Sequence, residues 1–90
     1  MDIAQKTFVL TGATGGIGAA IAVSLDQAGA RILLVGRSAE SLAQVVGMLA
    51  GQDHQVVEAD LTTAQGRQAV VDACAGTVDG LINNAGYNEF

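Results

Sequence analysis

The sequence predicts an α/β fold in which helices flank a parallel β-sheet with strand order 3-2-1-4. Short apolar segments alternate along the chain with amphipathic segments, as expected when parallel strands are joined by helical crossovers. Half of the 90 residues are hydrophobic and only 14% are charged, a composition that suits strands buried on both faces. A chain of this length forms at most one domain, which we expect to span residues 1–90.

The first strand is predicted at Thr7 to Thr11, where β-branched and apolar residues predominate. The buried face of a first helix is predicted from four apolar residues at helical spacing: Ile17, Ile21, Leu25 and Ala28. Gly29 stands where a residue in the left-handed conformation would end that helix. The second strand follows at Arg31 to Gly36.

Ser38 can cap a second helix, and Gly51 is predicted to end it. Its apolar stripe consists of Leu42, Val45, Val46 and Leu49. The third strand is predicted at His54 to Ala59. A third helix then starts after a cap at Thr62 or Thr63 and continues through Ala75, and the fourth strand is predicted at Gly80 to Asn83.

Charge and cysteine content narrow the classes of partner. The net charge of −5 repels nucleic acid and anionic membrane surfaces, so we expect a small-molecule ligand.

Cys74 is the only cysteine, which excludes an internal disulfide, and its position beside Val70 on an apolar helix face predicts a core residue. His54 has no nearby cysteine or histidine, so we expect a surface residue and no metal site. Without a signal sequence or membrane-length apolar run, we expect the cytoplasm.

A glycine-rich segment, Thr11 to Gly18, lies between the first strand and the first helix. Gly12 allows a sharp turn, glycines at 15 and 16 let backbone N–H groups approach a pyrophosphate, and a glycine at 18 lets the helix pack closely. The helix N-terminus adds a positive dipole end. The segment therefore predicts a phosphate-binding turn rather than a plain glycine-rich loop.

Three motifs resemble those of the short-chain dehydrogenase/reductase family. The segment Thr11 to Gly18 matches T-G-x-x-x-G-x-G, Asp60-Leu61 looks like an adenine-contacting pair, and Asn83-Asn84-Ala85-Gly86 looks like the N-N-A-G segment. The resemblance covers the whole chain and implies a Rossmann-type fold, incomplete relative to a full domain of the family. It implies cofactor-binding roles for Gly12, Thr14, Gly15, Gly16, Ile17, Gly18, Arg37, Asp60, Leu61, Asn83, Asn84, Ala85 and Gly86. Asp60 could also cap the end of the third strand.

Two alternatives to this assignment are disfavoured by individual residues. Gly12, Gly15 and Gly18 also satisfy the T-G-x-x-G-x-x-G pattern of the extended, epimerase-like branch, but Asn83 and Asn84 favour the single-domain reductases. A methyltransferase-like fold would require an acidic residue near position 36, which this chain lacks.

The end of the second strand bears on the choice of nicotinamide cofactor. An acidic residue there would bind the ribose hydroxyls of NAD, but the sequence has Gly36 followed by Arg37. A guanidinium matches the 2′-phosphate of NADP, so we expect NADP(H), with NAD less favoured. The alternative for Arg37 is a solvated side chain or a pair with Glu40.

The family resemblance implies hydride transfer between the nicotinamide and a carbonyl or alcohol substrate in the complete enzyme. It also implies a catalytic serine and a Tyr-x-x-x-Lys pair, yet the only tyrosine is Tyr87 and the only lysine is Lys6. We therefore expect no catalytic residue within these 90 residues, and the chain alone to be inactive. The alternative is a non-catalytic nucleotide-binding or interaction module. An unpaired sheet edge predicts either a homo-oligomer or association with the rest of the fold.

Overall fold

The computed structural model describes residues 3–74, 76 and 78–84. Strands and helices alternate in the order β1 (Thr7–Thr11), α1 (Gly16–Gln27), β2 (Arg31–Gly36), α2 (Ala39–Val46), β3 (Gln55–Glu58), α3 (Ala64–Ala73) and β4 (Gly80–Asn83). All strand pairs are parallel, and the sheet order is β3-β2-β1-β4. The predicted α/β class and strand order are confirmed.

The core is divided between the two faces of the sheet, because successive strand residues point to opposite sides. On one face, Leu10, Ile32 and Leu34 pack with residues of α1 and α2. On the other, Val9, Leu33 and Val35 pack with the inner side of α3. The two central strands, β1 and β2, are thereby held between helices. Their carboxyl ends provide a fixed edge on which loops can be positioned.

The bounds of β1, β2 and β4 agree with those predicted, whereas β3 is shorter than the predicted segment His54 to Ala59. β3 is one of the two edge strands of the described sheet, and three of its four residues are exposed. Ala59 continues alongside β2, since its N–H donates to the carbonyl oxygen of Gly36 over 2.8 Å. This contact brings the ends of β2 and β3 together.

The prediction that His54 is a surface residue was wrong. Its side chain is 3% exposed and that of Asp26 is 5% exposed, and His54 Nε2 donates a hydrogen bond to Asp26 Oδ1 over 2.8 Å. The Nδ1 atom accepts a hydrogen bond from the backbone N–H of Ile32. His54 is buried because the last turn of α1 supplies a carboxylate and the start of β2 supplies an amide.

The buried face of α1 differs from the predicted stripe. Gly18, Ala22 and Leu25 are buried, whereas Ile17 is 72% exposed and Ala28 is also exposed. Leu25 is buried as predicted, and Ile21 packs partly against the same core. In the first turn Gly18, which faces the backbone of the glycine-rich turn, is buried in place of Ile17. Gly29 has φ +88°, as expected for the residue that ends the helix.

The predicted N-caps of α2 and α3 are present. Ser38 Oγ accepts from the Ser41 N–H, and Thr63, one of the two predicted caps, accepts from the Gly66 N–H. The prediction that α2 continues to Gly51 was wrong, because tight turns closed by i→i−3 hydrogen bonds follow Val46.

The helix α3 ends at Ala73, and the predicted end at Ala75 lies outside the described residues. Cys74 follows the helix as its C-terminal cap and is partly buried. It packs against the same apolar cluster as Val70, on the α3 face of the sheet. Its predicted place beside Val70 is therefore observed, although its burial is only partial.

Candidate functional site

The predicted site residues within the described part of the chain lie at or just beyond the carboxyl ends of the strands. The glycine-rich turn follows β1, Arg37 follows β2, Asp60 comes two residues after β3, and Asn84 follows β4. In open α/β sheets, ligands bind in the crevice outside this edge. Ala85 and Gly86 lie outside the described residues.

The glycine-rich turn passes over the end of the neighbouring strand β2. Gly12 has φ +66°, a left-handed conformation that favours glycine. The next residue, Ala13, is fully buried, and its N–H donates to the carbonyl oxygen of Val35 over 3.2 Å. The exposed Thr14 follows. The turn is therefore anchored to β2 as well as to β1.

The start of α1 leaves open space above its backbone. A Cβ atom built on Gly15 or Gly16 would meet no heavy atom within 4 Å. Gly15 is the N-cap and makes no side-chain cap hydrogen bond. Because the first intrahelical hydrogen bond is donated by Ala19, the amides of residues 16–18 precede it and can face an anion. The geometry fits a pyrophosphate lying against this turn.

Gly18 is small because the turn itself occupies the space where a side chain would lie. A Cβ atom there would overlap the carbonyl oxygen of Gly12 and lie 3.0 Å from Asn84 Nδ2. The sequence predicted a close approach of helix and sheet at Gly18. The structure shows that the close neighbours are the turn backbone and a side chain that follows β4.

Thr11 connects the glycine-rich turn to the end of β4, a role that was not predicted. Its hydroxyl donates to Asn83 Oδ1 over 2.9 Å and accepts from the Asn84 N–H over 3.1 Å. Asn84 Nδ2 donates to the Gly12 carbonyl oxygen over 3.1 Å. Thr11 is buried, with 5% of its surface exposed. The available signal was a hydroxyl residue at the end of an apolar strand and at the first position of the motif.

The end of β2 combines a crowded glycine with an exposed arginine. Gly36 is buried, and a Cβ atom there would lie 3.1 Å from Thr14 Cγ2 and 3.2 Å from Leu42 Cδ2. Arg37 is exposed. Within the described part of the chain, its guanidinium forms no ion pair with Glu40, so the alternative pairing is not observed.

Asp60 is held by a local turn after β3. Its Oδ1 atom accepts from the backbone N–H of Thr62 over 2.9 Å and from the Thr62 hydroxyl over 2.6 Å. These two hydrogen bonds, with a smaller contribution from the charge of Arg37, lower the pKa of the Asp60 carboxyl. The group is therefore a carboxylate near neutral pH. Leu61, by contrast, packs its side chain against the apolar cluster on the α3 face.

Other polar groups lie far from this edge or form no site. Lys6 precedes β1 and is exposed at the opposite, amino edge of the sheet. Within residues 3–74, 76 and 78–84, no three His, Cys, Asp or Glu side chains are grouped so as to hold a metal ion. Every helix in the same described ranges falls short of the apolar length required for a membrane span.

Comparison with known proteins identifies the family. The model of the short chain dehydrogenase family matches residues 6–90. The 1-deoxy-11-beta-hydroxypentalenate dehydrogenase of Streptomyces avermitilis is 40% identical over 91 residues, which cover 96% of this chain and 34% of that enzyme. The 11-beta-hydroxysteroid dehydrogenase A of Sesamum indicum is 38% identical, over 94% of this chain and 26% of that enzyme.

The solved structures that share the fold of this chain also include reductases and dehydrogenases. L-Sorbose reductase from Gluconobacter frateurii, complexed with NADPH and L-sorbose, has a TM-score of 0.87 and 37% identity over 96% of this chain and 36% of its own. A xylitol dehydrogenase with bound NAD+ has a TM-score of 0.88 and 30% identity over 97% and 35% of the two chains. The chain spans about a third of the length of such relatives. By its sequence and its fold, the chain belongs to the short-chain dehydrogenase family.

Proposed function

We propose that the chain is the NADP(H)-binding part of a short-chain dehydrogenase/reductase. In the complete enzyme, hydride passes between the nicotinamide and a carbonyl or alcohol substrate. The observation that carries the cofactor assignment is the end of β2, where the buried Gly36 lies against Thr14 of the glycine-rich turn and is followed by the exposed Arg37. In this proposal, the pyrophosphate lies over Gly15 and Gly16, and the adenosine extends toward Arg37 and Asp60.

The crowding at Gly36 disfavours the acidic residue that an NAD site would use. The first side-chain carbon at this position would already lie 3.1 Å from Thr14 Cγ2 and 3.2 Å from Leu42 Cδ2. A carboxylate there would require these side chains to move. Arg37 instead offers a planar array of donors that matches the 2′-phosphate of NADP. The absence of an Arg37–Glu40 ion pair among the described residues supports an available guanidinium.

Both cofactors occur among similar proteins, since the sorbose reductase was solved with NADPH and the xylitol dehydrogenase with NAD+. Family membership alone therefore does not choose between them. The residues at the end of β2 favour NADP(H), and NAD(H) is the weaker candidate.

The test is to titrate the chain with NADPH and NADH and to repeat both titrations with Arg37→Ala. Loss of a charge-assisted contact should weaken NADPH binding by roughly 1.5 to 3 kcal/mol and leave NADH binding nearly unchanged. Arg31→Ala is the matched control, because Arg31 is an exposed arginine at the opposite end of the same strand. Equal losses for the two cofactors in Arg37→Ala would overturn the assignment of Arg37 to the 2′-phosphate.

A second candidate is a nucleotide-binding module without catalysis of its own. It is the alternative raised by residues 1–90, which contain a single tyrosine, Tyr87, and a single lysine, Lys6, that precedes it. Lys6 also lies at the edge of the sheet opposite the glycine-rich turn. Under either candidate, we expect cofactor binding without turnover by these 90 residues alone.

The exposed apolar surface supports association as part of the proposal. On the described residues, β4 pairs only with β1, and Leu81 on β4 is 65% exposed. Val71 on α3 is 63% exposed. Apolar surface beside an unpaired strand edge favours association, either with the rest of the family fold or with a second copy. The cytoplasm remains the proposed location.

A further inference from the structure

The side chain of His54 supplies a hydrogen-bond acceptor where the pairing between β2 and β3 begins. The backbone amides of a central strand point alternately to its two neighbours, and the Arg31 N–H donates to the carbonyl oxygen of Lys6 on the β1 side. The next amide, that of Ile32, therefore faces the β3 side, where strand pairing starts only at Gln55. Its acceptor there is His54 Nδ1, over 3.1 Å. The ring thus takes the place of a backbone carbonyl oxygen at the start of the ladder.

The two ring nitrogens of His54 have opposite roles, which fixes the position of the ring proton. Because Nδ1 accepts from the Ile32 N–H, the ring carries its proton on Nε2. Nε2 donates to Asp26 Oδ1 over 2.8 Å. Ile32 is 2% exposed, and a buried amide without an acceptor is costly. The neutral ring therefore joins α1, β2 and the start of β3 through one side chain.

Asp26 is the charged group in direct contact with the ring. Its carboxylate also accepts from the amides of Ala50 over 2.7 Å and Gly51 over 2.9 Å, in the segment between α2 and β3. The hydrogen bond from His54, followed by those from the two amides, lowers the pKa of the Asp26 carboxyl. Asp26 is therefore charged when the ring takes up a second proton, and the hydrogen bond between them becomes stronger.

Further ionisable side chains around His54 line a cavity of about 740 Å³ at the amino edge of the sheet, which His54 also borders. They are contributed by β2 and by the segments adjacent to β1, β3, α3 and β4: Lys6, Arg31, Asp53, Cys74 and Asp79. The two cations offset the charges of the two aspartates. The carboxylate of Asp26 therefore dominates the electrostatics at the ring through its direct contact.

We infer that His54 is a proton-dependent link between the edge strand β3 and the rest of the sheet. A second ring proton, taken from solvent, binds Nδ1, so that two N–H groups face each other where Ile32 now donates. The protonated ring keeps its hydrogen bond to Asp26 and releases the Ile32 amide. Three of the four residues of β3 are exposed, so this release loosens the start of the strand. Histidine side chains ordinarily gain such a proton between about pH 8 and pH 5.

The experiment records NMR spectra of the isotope-labelled chain from about pH 8 to pH 5. At the upper pH, the ring nitrogens should show the Nε2–H tautomer. As the pH falls, the Ile32 amide proton should move to lower chemical shift. Its protection against hydrogen exchange, corrected for the intrinsic pH dependence, should fall by about three- to tenfold, the usual effect of one net hydrogen bond. Both changes should have the same midpoint as the ring signals of His54. The amide of Leu34, a fully buried residue of β2, is the internal control and should not follow them.

His54→Asn is the matched variant, because an asparagine Oδ1 can accept from the Ile32 N–H in the place of Nδ1 and gains no proton in this range. Its Ile32 amide should keep the same shift and protection at every pH. An Nδ1–H tautomer, a ring that stays neutral throughout, or an Ile32 amide that ignores the titration of the ring would overturn the inference. An equal loss of protection at Leu34 would indicate general unfolding and overturn it as well. If His54→Asn does not fold, the midpoints measured on the unmodified chain decide.

Discussion

Asn84 donates from its side-chain Nδ2 to the carbonyl oxygen of Gly12 over 3.1 Å, between residues 72 positions apart in the sequence. Its backbone N–H donates at the same time to the hydroxyl of Thr11. The glycine-rich turn after β1 is therefore fixed from β4 as well as from its own strand. A residue that resembles part of a cofactor motif acts here as a structural support of that motif.

Asn84→Ala should destabilise the chain and weaken NADPH binding, because the Gly12 carbonyl oxygen loses its donor. We expect a decrease of about 1 to 3 kcal/mol in the free energy of unfolding, measured by urea denaturation. Asn84→Asp should lower stability at least as much at neutral pH, since a carboxylate oxygen would face a carbonyl oxygen. Unchanged stability in Asn84→Ala would show that the hydrogen bond to Gly12 contributes nothing.

Gly16→Val should abolish NADPH binding while the chain stays folded. The space around Gly16 is empty in the structure, so the valine side chain fits the fold but occupies the place proposed for the pyrophosphate. Binding is followed by titration and folding by circular dichroism. Ala20→Val is the control, because Ala20 is exposed on the same helix, one turn further on. A folded Gly16→Val variant that binds NADPH normally would remove the proposed phosphate site.

Acid should weaken the contacts made by Asp26. Its carboxylate accepts from His54 Nε2 and from the amides of Ala50 and Gly51. These hydrogen bonds, the one with His54 contributing most, lower its pKa below the usual 3.8. The lowered pKa stabilises the fold above pH 3.8, and this stabilisation is lost as the pH falls through the pKa of the folded state.

Asp26→Asn should therefore be less stable than the unmodified chain near neutral pH, and the difference should shrink as the pH falls below 3.8. Urea unfolding across this acidic range measures the difference. Asp53→Asn serves as the control, since Asp53 is exposed on the loop before β3. The difference in stability between this variant and the unmodified chain should not shrink in the same way as the pH falls. A difference that stays constant with pH would contradict the assigned role of the Asp26 carboxylate.

The purified 90-residue chain should not oxidise NADPH in the presence of carbonyl compounds, even where it binds the cofactor. An unassisted phenol has a pKa well above neutral, and a lysine is needed nearby to lower it. Tyr87 lies outside the described residues, and residues 1–90 contain no lysine other than Lys6. Cofactor absorbance is followed over a broad carbonyl panel. Sustained turnover that Tyr87→Phe abolishes would show that these residues contain their own proton donor.

The fold was predictable because its determinants are local. Alternating strand and helix patterns predicted β1, β2 and β4 with their observed bounds, and hydroxyl residues predicted the caps at Ser38 and Thr63. Parallel strands joined by helices then place the predicted site residues at one edge. A pattern of residue types was sufficient at each of these steps.

The errors concern residues whose environment depends on distant parts of the chain. The burial of His54 requires Asp26, 28 positions away, and no periodicity relates the two. The exposure of Ile17 depends on how the glycine-rich turn enters α1. Gly66 carried a weak signal, as a poor helix former in the first turn of a helix, but only the structure shows the Asp60 backbone against it.

The pairing of β1 with β4 also has a consequence for the order of folding. Residues from Asp79 to Asn84 contact β1 and the turn after it across more than 70 positions, whereas β1 and β2 are close in sequence. Long loops close slowly and at greater entropic cost than short ones. During synthesis on the ribosome, the glycine-rich turn can form with β1 and β2, but it acquires its final shape only after Asn84 has left the exit tunnel. The glycine-rich turn is thus synthesised 72 positions before the residue that completes its hydrogen bonding.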